Sequence, residues 1–371
     1  MIVGIPKEIK NNEKRVSLLP HLIQPIIKKG HKVIVQADAG LESGFSDELY
    51  LREGAKIVPT LKDVYSQSDL IIKVKEPLEE EIPLIKESQI IFTFFHFGGD
   101  KRLLDSFLRT KATAIAYETV EEDGALPLLA PMSEIAGRMS VLNGAKFLEG
   151  TYGSKGKLLS GVPGVEPATV TIIGGGIVGL NAAKIASGLG AKVNILDIDM
   201  QTLRFLDNIM PANVITHHSN DYNIERLLPK TDLLIGAVLL PGRKAPKIIT
   251  KKRLSLMKKG SVVVDVAVDQ GGCLETTRPT THQDPIYDID GIIHYCVANM
   301  PGAVPQTSTI ALTNSTSSYI LDLLENQDIL KTKNQALLKG INVYNGDITH
   351  KGLSESFSLP YKRIEHVNTP G

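Results

Sequence analysis

Residues 169–197 read TVTIIGGGIVGLNAAKIASGLGAKVNILD, and the remainder of the chain can be interpreted outward from this stretch. An apolar, β-branched run is followed at once by three glycines and then by an amphipathic segment, which predicts a strand, a tight turn and a helix. A second β-branched run, 192–197, follows and ends on Asp197. The stretch is therefore predicted to be a βαβ unit of a parallel sheet.

The turn fits the pattern G-x-G-x-x-G, with glycines at Gly174, Gly176 and Gly179. Because it directly follows a strand and begins a helix, it has the context of a dinucleotide-binding loop. The first glycine allows the tight turn, the second allows close approach of a pyrophosphate, and the third allows the helix to pack on the strand. A glycine-rich turn without a ligand is the simpler alternative.

Asp197 lies 18 residues after Gly179, close to where an acidic residue hydrogen-bonds the ribose 2′-hydroxyl of NAD. A carboxylate there repels a 2′-phosphate, so the predicted cofactor is NAD rather than NADP. Asp199 is a nearby alternative for the same role, but Asp197 is the residue at the strand end.

On both sides of this unit, β-branched runs alternate with amphipathic segments, which predicts an α/β fold with doubly wound parallel sheets. Helices are predicted over 131–150 and 307–326. Two turn-rich segments, ALPLLAPMS and ANMPGAVPQ, suggest a discontinuous first domain, 1–128 plus 307–371, and a second domain over 129–306. The other predicted strands are 2–5, 32–36, 56–59, 69–74, 89–94, 113–118, 213–218, 232–238, 261–268 and 293–299.

The 371 residues carry 41 basic and 41 acidic side chains, so the formal net charge is zero. This balance predicts no nucleic-acid partner and no polybasic membrane contact. The N-terminus has no apolar signal core, and no apolar run is long enough to span a bilayer. A cytoplasmic location is the corresponding expectation.

Cysteine occurs twice, at Cys273 and Cys296, which is too few for a disulfide framework and fits a reducing compartment. No CxxC or HExxH spacing is present, so no catalytic metal is predicted. Cys273 closely follows a glycine pair and is either a reactive thiol or a packed side chain; packing is the simpler interpretation.

Four polar residues follow predicted strands, where ligands bind in open α/β sheets. Arg15 lies in the loop after the first strand, Lys75 just past 69–74 and His96 just past 89–94. Two cations and a histidine suit a small carboxylate substrate with a carbonyl group to protonate. Asp269 closes the run SVVVDVAVDQGG and is expected to face the nicotinamide. Surface charges, a structural histidine and a turn-forming aspartate are the alternatives.

Over nearly its whole length the chain resembles the alanine dehydrogenase family. The blocks that carry the resemblance stand in the family's order and spacing: GIPKEIKNNEKRV, KVKEP, AYETVE, PMSEIAGRMS, GGGIVG, GAVLLPGRKAPK, DVAVDQGG and NMPGAVPQTSTIALTN. The resemblance implies two Rossmann-like domains, the first for substrate and the second for NAD, with an active-site cleft between them. It implies NAD-dependent conversion of L-alanine to pyruvate and ammonium.

Carried over position by position, the resemblance makes Arg15 and Lys75 substrate ligands, and His96 and Asp269 catalytic residues. It also implies a homohexamer, which the residues themselves do not indicate. Two alternatives stay open: an NAD-binding subunit of a proton-translocating transhydrogenase, and a non-catalytic NAD sensor. The positions that match NAD contacts in the family are Ser133, Val178, Asp197, Ser219, Leu239, Arg278 and Asn299.

Overall fold

Two helix-covered β-sheets form the described part of the chain, residues 1–238, 245–325 and 329–364 of a computed structural model. The chain divides into unit 1, Met1–Met132 with Gly302–Gly371, and unit 2, Ser133–Pro301. The sequence placed the corresponding boundaries at 128/129 and 306/307. The predicted fold class, two doubly wound parallel-sheet domains, is confirmed.

The strands are short and mostly buried. In chain order they are β1 Ile2–Ile5, β2 Lys32–Gln36, β3 Lys56–Val58, β4 Leu70–Ile72, β5 Ile90–Thr93, β6 Thr113–Ala116, β7 Thr169–Ile173, β8 Lys192–Asp197, β9 Val214–His218, β10 Leu233–Gly236, β11 Val262–Asp265, β12 Ile286–Ile289, β13 Ile292–Tyr295, β14 Ile341–Tyr344 and β15 Asp347–Ile348.

The helices connect these strands and cover the sheets. They are α1 Ile23–Lys28, α2 Asp47–Arg52, α3 Leu61–Gln67, α4 Lys101–Thr110, α5 Ala130–Phe147, α6 Ile177–Gly188, α7 Met200–Ile209, α8 Asp221–Leu227, α9 Lys251–Leu254, α10 Pro305–Glu325, α11 Gln335–Gly340 and α12 Lys351–Phe357.

In unit 1 the strand order is β15-β14-β6-β5-β4-β1-β2-β3, and β1 to β6 are parallel. The chain builds outward from β1 through β2 and β3, then crosses to β4 on the other side. The boundary between β1 and β4 is therefore the topological switch point, beside which ligands bind in open α/β sheets.

Unit 2 repeats this plan with the order β12-β13-β11-β10-β7-β8-β9. Here the chain runs from β7 through β8 and β9 and returns to β10 on the other side of β7, so the switch point lies between β7 and β10. All residues of β10 and β11 and all of β7 except Thr169 are buried, as expected for parallel strands that are covered on both faces.

The predicted strands 261–268 and 293–299 end earlier than expected, at Asp265 and Tyr295. The Asp265 carboxylate accepts hydrogen bonds from the backbone N–H groups of Ala267 and Cys273, which turns the chain into a 3-10 helix over Val266–Gln270. A buried carboxylate in an apolar run thus ends the strand.

Three antiparallel strands were not predicted, and two tight turns account for them. β14 and β15 are joined by Asn345-Gly346, and β12 and β13 by Asp290-Gly291. All four turn residues have positive φ, between 48° and 85°. Such pairs favour two-residue hairpins, so the signal was present in the sequence.

Candidate functional site

The strand order of unit 1 brings three predicted site residues together. β1, β4 and β5 are parallel neighbours, and Arg15, Lys75 and His96 each follow the carboxyl end of one of them. The three side chains are close enough for the charges of Lys75 and Arg15 to act on the His96 imidazole. A cationic cluster with one histidine therefore lies at the switch point of this sheet.

Arg15 is buried and paired with Glu13, which was not among the predicted site residues. Its Nε and Nη2 each donate to a Glu13 carboxylate oxygen at 2.6 Å, and Nη1 lies 3.0 Å from the Met132 sulfur. Burial alone would raise the pKa of Glu13, but the charge and hydrogen bonds of Arg15 lower it to about 2. Nε and Nη2 of the guanidinium are thus bound by the Glu13 carboxylate, which fixes the side chain in place.

Lys75 is buried beside a network of charges. Glu8 accepts hydrogen bonds from the backbone N–H groups of Val74, at 2.6 Å, and Lys75, at 3.3 Å. The other Glu8 oxygen pairs with the fully buried Lys73, which also pairs with Glu81 at 2.8 Å. Lys73 lies inside the apolar run DLIIKV, and a buried lysine requires buried acidic partners. This run was therefore the signal in the sequence for the buried carboxylates of Glu8 and Glu81.

His96 has backbone angles φ 52° and ψ 32°, in the left-handed region, and its ring stacks on Phe94. Surrounding protein and the positive charges of Lys75, Lys10 and Arg15 lower the pKa of His96 below that of a free imidazole. Both effects disfavour the protonated ring, so the imidazole of the free protein is neutral at pH 7.

In unit 2 the three glycines of the motif have three distinct environments. Gly174 has φ 102°, and a Cβ there would lie 2.7 Å from the Ala237 carbonyl oxygen across the switch point. A Cβ on Gly179 would lie 1.9 Å from the Gly174 oxygen, whereas one on Gly176 would meet nothing within 4 Å. The loop is thus tightly packed on one side and open at Gly176.

Asp197 is tied to this loop. Its Oδ2 accepts from the Gly175 N–H at 2.6 Å, and its backbone oxygen accepts from the Ser219 N–H at 2.8 Å, so Ser219 lies beside it. The carboxylate of Asp199 instead caps α7 by accepting from the N–H groups of Gln201 and Thr202. The Asp199 carboxylate is thus engaged by the terminus of α7, and the Asp197 carboxylate by the N–H groups of Gly175 and Asp199.

Asp269 lies in the 3-10 helix after β11 and is exposed. Its Oδ2 accepts from the Asn299 N–H at 3.4 Å, and Asn299 has a positive φ of 56°. The Arg278 guanidinium lies 4.2 Å from the ring centre of Tyr287. Asp269 and Arg278 follow β11, and Asn299 follows β13, the parallel neighbour of β11.

Three further predicted residues complete the placement. Ser133 is half-buried near the start of α5, and Val178 is buried in the first turn of α6. Leu239 lies outside the described residues.

Of the two candidate interpretations of Cys273, the packed one is favoured: the thiol is buried, and burial raises its pKa to about 12, so it stays protonated at neutral pH.

The glycine-rich loop fits a dinucleotide. No side chain caps the N-terminus of α6, so its first N–H groups are suited to phosphate oxygens beside the open Gly176.

In the described ranges, no group of three or more His, Cys, Asp or Glu side chains is arranged to hold a metal ion. No described helix is both long and apolar enough to cross a membrane.

Two doubly wound sheets, one of them carrying this loop and an acidic residue at the end of the next strand, define the class of two-domain Rossmann-type proteins that bind a dinucleotide. Sequence comparison is more specific. The profile described as "Alanine dehydrogenase/PNT, N-terminal domain" matches residues 4–136, and the corresponding C-terminal domain profile matches residues 140–351. The chain belongs to the alanine dehydrogenase/PNT family.

Full-length relatives agree with this assignment. The chain is 51% identical to an alanine dehydrogenase of Methanococcus maripaludis, over 98% of this chain and 99% of the relative. It is 50% identical to alanine dehydrogenase 2 of Staphylococcus aureus, over 99% of both chains. A solved structure titled L-alanine dehydrogenase matches with a TM-score of 0.92 and 47% identity, covering 96% of this chain and 99% of the other.

A transhydrogenase structure from Sinorhizobium meliloti shares the fold, with a TM-score of 0.79 and 22% identity over 95% of this chain and 99% of the other.

Proposed function

We propose that this chain is an NAD-dependent L-alanine dehydrogenase, which interconverts L-alanine, water and NAD⁺ with pyruvate, ammonium, NADH and a proton. The observation that carries the proposal is the cluster of Arg15, Lys75 and His96 at the switch point of unit 1, in a chain whose other unit has a dinucleotide loop. Two cations bind the substrate carboxylate and carbonyl oxygen, and a neutral imidazole moves a proton.

Each residue has a role that follows from its environment. Arg15, held by Glu13, and Lys75, held through its backbone by Glu8, orient the amino acid. The loop of Gly174, Gly176 and Gly179 holds the pyrophosphate of NAD, and Asp197 holds the ribose, with Ser133, Val178, Ser219, Leu239, Arg278 and Asn299 as further NAD contacts. When bound, NAD accepts a hydride from the substrate Cα.

His96 and Asp269 are the proposed catalytic residues. In the free protein His96 is neutral at pH 7. In the complex it accepts a proton from the water that attacks the oxidised substrate. Binding of the substrate carboxylate offsets the charges of Arg15 and Lys75, so the pKa of His96 rises in the complex. Asp269 stabilises the positive charge that develops on the substrate nitrogen as the hydride leaves.

One assay tests the proposal against its two alternatives. The purified chain is mixed with NAD and a panel of L-amino acids, and NADH formation is followed. Turnover with L-alanine is expected. A chain that binds NADH but turns over no amino acid is a sensor, and one that moves hydride only between nucleotides is a transhydrogenase subunit.

We also propose that the chain forms a homohexamer in a reducing cytoplasm. Exposed apolar side chains on one segment of unit 2, Leu158, Val162 and Val165, support self-association because water-exposed apolar groups favour burial. Both cysteines are free and buried, which suits a reducing compartment. Light scattering should give six times the chain mass, and a monomer would contradict the assembly.

A further inference from the structure

The backbone of His96 is held by a side chain from the neighbouring strand. Glu118 lies in the short 3-10 helix Tyr117–Thr119 that follows β6, and β6 pairs in parallel with β5, the strand before His96. Because both residues lie just beyond the carboxyl ends of adjacent strands, the Glu118 carboxylate reaches the segment Phe95-His96.

The contact is made to backbone donors. Glu118 Oε1 accepts from the His96 N–H at 2.6 Å, and Oε1 and Oε2 each lie 3.2 Å from the Phe95 nitrogen. The chain at His96 has φ 52°, a conformation that residues with a Cβ seldom adopt without support from their surroundings. The carboxylate supplies that support by accepting both N–H groups at the turn.

We propose that Glu118 is a positioning residue, whose carboxylate holds the Phe95-His96 backbone so that the His96 imidazole is presented to the substrate. This inference rests on the proposed role of His96 in proton transfer. Glu118 does not act on the substrate; it acts through His96. Ring stacking of His96 on Phe94 orients the imidazole further, and Phe94 in turn packs edge-on against Tyr117, the residue before Glu118.

The protonation state of Glu118 gives this contact a pH dependence. Burial raises the pKa of Glu118 to about 7, although hydrogen bonds from its own backbone, His96 and Phe95 and the charge of Lys75 oppose the rise. A protonated carboxyl has one acceptor oxygen fewer for the two N–H groups. The backbone contact is therefore strongest above pH 7 and weakens as the pH falls through that value.

The test compares Glu118→Ala and Glu118→Gln with wild type. The amide of the glutamine variant keeps one acceptor oxygen for the His96 N–H and does not titrate, whereas alanine keeps none. Glu118→Ala should lower kcat for L-alanine roughly 10- to 100-fold, as expected for a displaced catalytic group, with KM and NADH affinity nearly unchanged. Glu118→Gln should restore most of kcat at high pH and should lose less activity than wild type on acidification through pH 7.

Amide hydrogen exchange provides a readout that does not depend on activity. The Phe95 and His96 amides should exchange roughly tenfold faster or more in Glu118→Ala and stay protected in Glu118→Gln. The control is Glu121→Gln, which removes only a half-exposed contact with Lys339 from the same segment. Unchanged exchange and unchanged kcat in both Glu118 variants would overturn the inference.

If Glu118→Ala does not fold, amide exchange of the glutamine variant decides: protection of the Phe95 and His96 amides that falls on acidification through pH 7 as steeply as in wild type contradicts the proposal. The proposed function fails separately, if His96→Ala keeps full activity while the amide exchange still responds to Glu118. The two failures are thus distinguishable.

Discussion

The backbone N–H of Gly175 donates a hydrogen bond to Oδ2 of Asp197 at 2.6 Å, which joins the glycine-rich loop after β7 to the acidic end of β8. The residue proposed to select NAD therefore also shapes the loop proposed to hold its phosphates. A substitution of Asp197 should therefore affect both the contact to the ribose and the loop that contacts the pyrophosphate.

Asp197→Ala should weaken NAD binding and reduce the preference for NAD over NADP, because a hydrogen-bonding carboxylate and a repulsion are both lost. The loss for NAD should be about 1.5–3 kcal/mol, as for a hydrogen bond to a charged group. The ratio of kcat/KM for the two cofactors measures it. Asp199→Ala is the control: it removes the cap of α7 at a cost in stability of about 1 kcal/mol and should leave the ratio unchanged. The reverse outcome would transfer the role to Asp199.

Lys75→Ala and Arg15→Lys should each lower kcat/KM for pyruvate roughly 10- to 100-fold, the worth of one or more hydrogen bonds to a charged group. A lysine at position 15 cannot both keep the two bonds to Glu13 and present a planar fork to the substrate. NADH affinity should stay near the wild-type value. Lys14→Ala, which loses only a surface contact with Glu42, is the matched control. Normal pyruvate kinetics in both variants would refute the substrate role.

His96→Ala should fold and bind NADH, because the residue lies past a strand end and is exposed to solvent. Turnover should fall roughly 10²–10⁴-fold, the usual contribution of a general acid or base. In the wild-type protein the ionisation of His96 should appear at lower pH in kcat/KM, which reports the free enzyme, than in kcat, which reports the complex. Identical values in both profiles would argue against control of its pKa by Arg15 and Lys75.

Glu13→Gln should destabilise the protein at neutral pH by roughly 3 kcal/mol, because it leaves the buried Arg15 without a full counter-charge. The pKa of Glu13 is lowered from 4.5 to about 2 in the folded state, so its stabilisation is fully present above pH 4.5 and is lost as the pH falls towards 2. Melting temperatures of the two proteins should therefore converge on acidification. Glu42→Gln, at an exposed pair, should show no such convergence; a constant gap for Glu13→Gln would contradict the ion-pair explanation.

The predictions that held were those with a local signal. The runs 2–5, 32–36, 169–173 and 192–197 are strands with the predicted bounds, since β-branched residues in short apolar runs report directly on buried parallel strands. The hairpins at Asp290-Gly291 and Asn345-Gly346 also had a local signal, the pair of residues that tolerate positive φ, but the sequence analysis did not use it.

The site residues divide in the same way. Arg15, Lys75 and His96 could be proposed because each follows a strand, and position along the chain is enough to place a residue at the edge of a sheet. Their roles stay proposals. Strand order put those three edges side by side, because β1 and β4 are separated in sequence by two strands and three α-helices and meet only in the sheet.

Most elements, the fold class and the dinucleotide loop could thus be predicted, because they depend on patterns within about thirty residues. Packing in three dimensions, by contrast, selected the carboxylate for each cation or backbone group: Glu13 for Arg15, Glu8 for the Lys75 backbone and Glu118 for the His96 backbone. The physical reason is that a buried charge requires a partner but does not specify where along the chain that partner comes from. Packing settles that choice, and with it the pKa of His96.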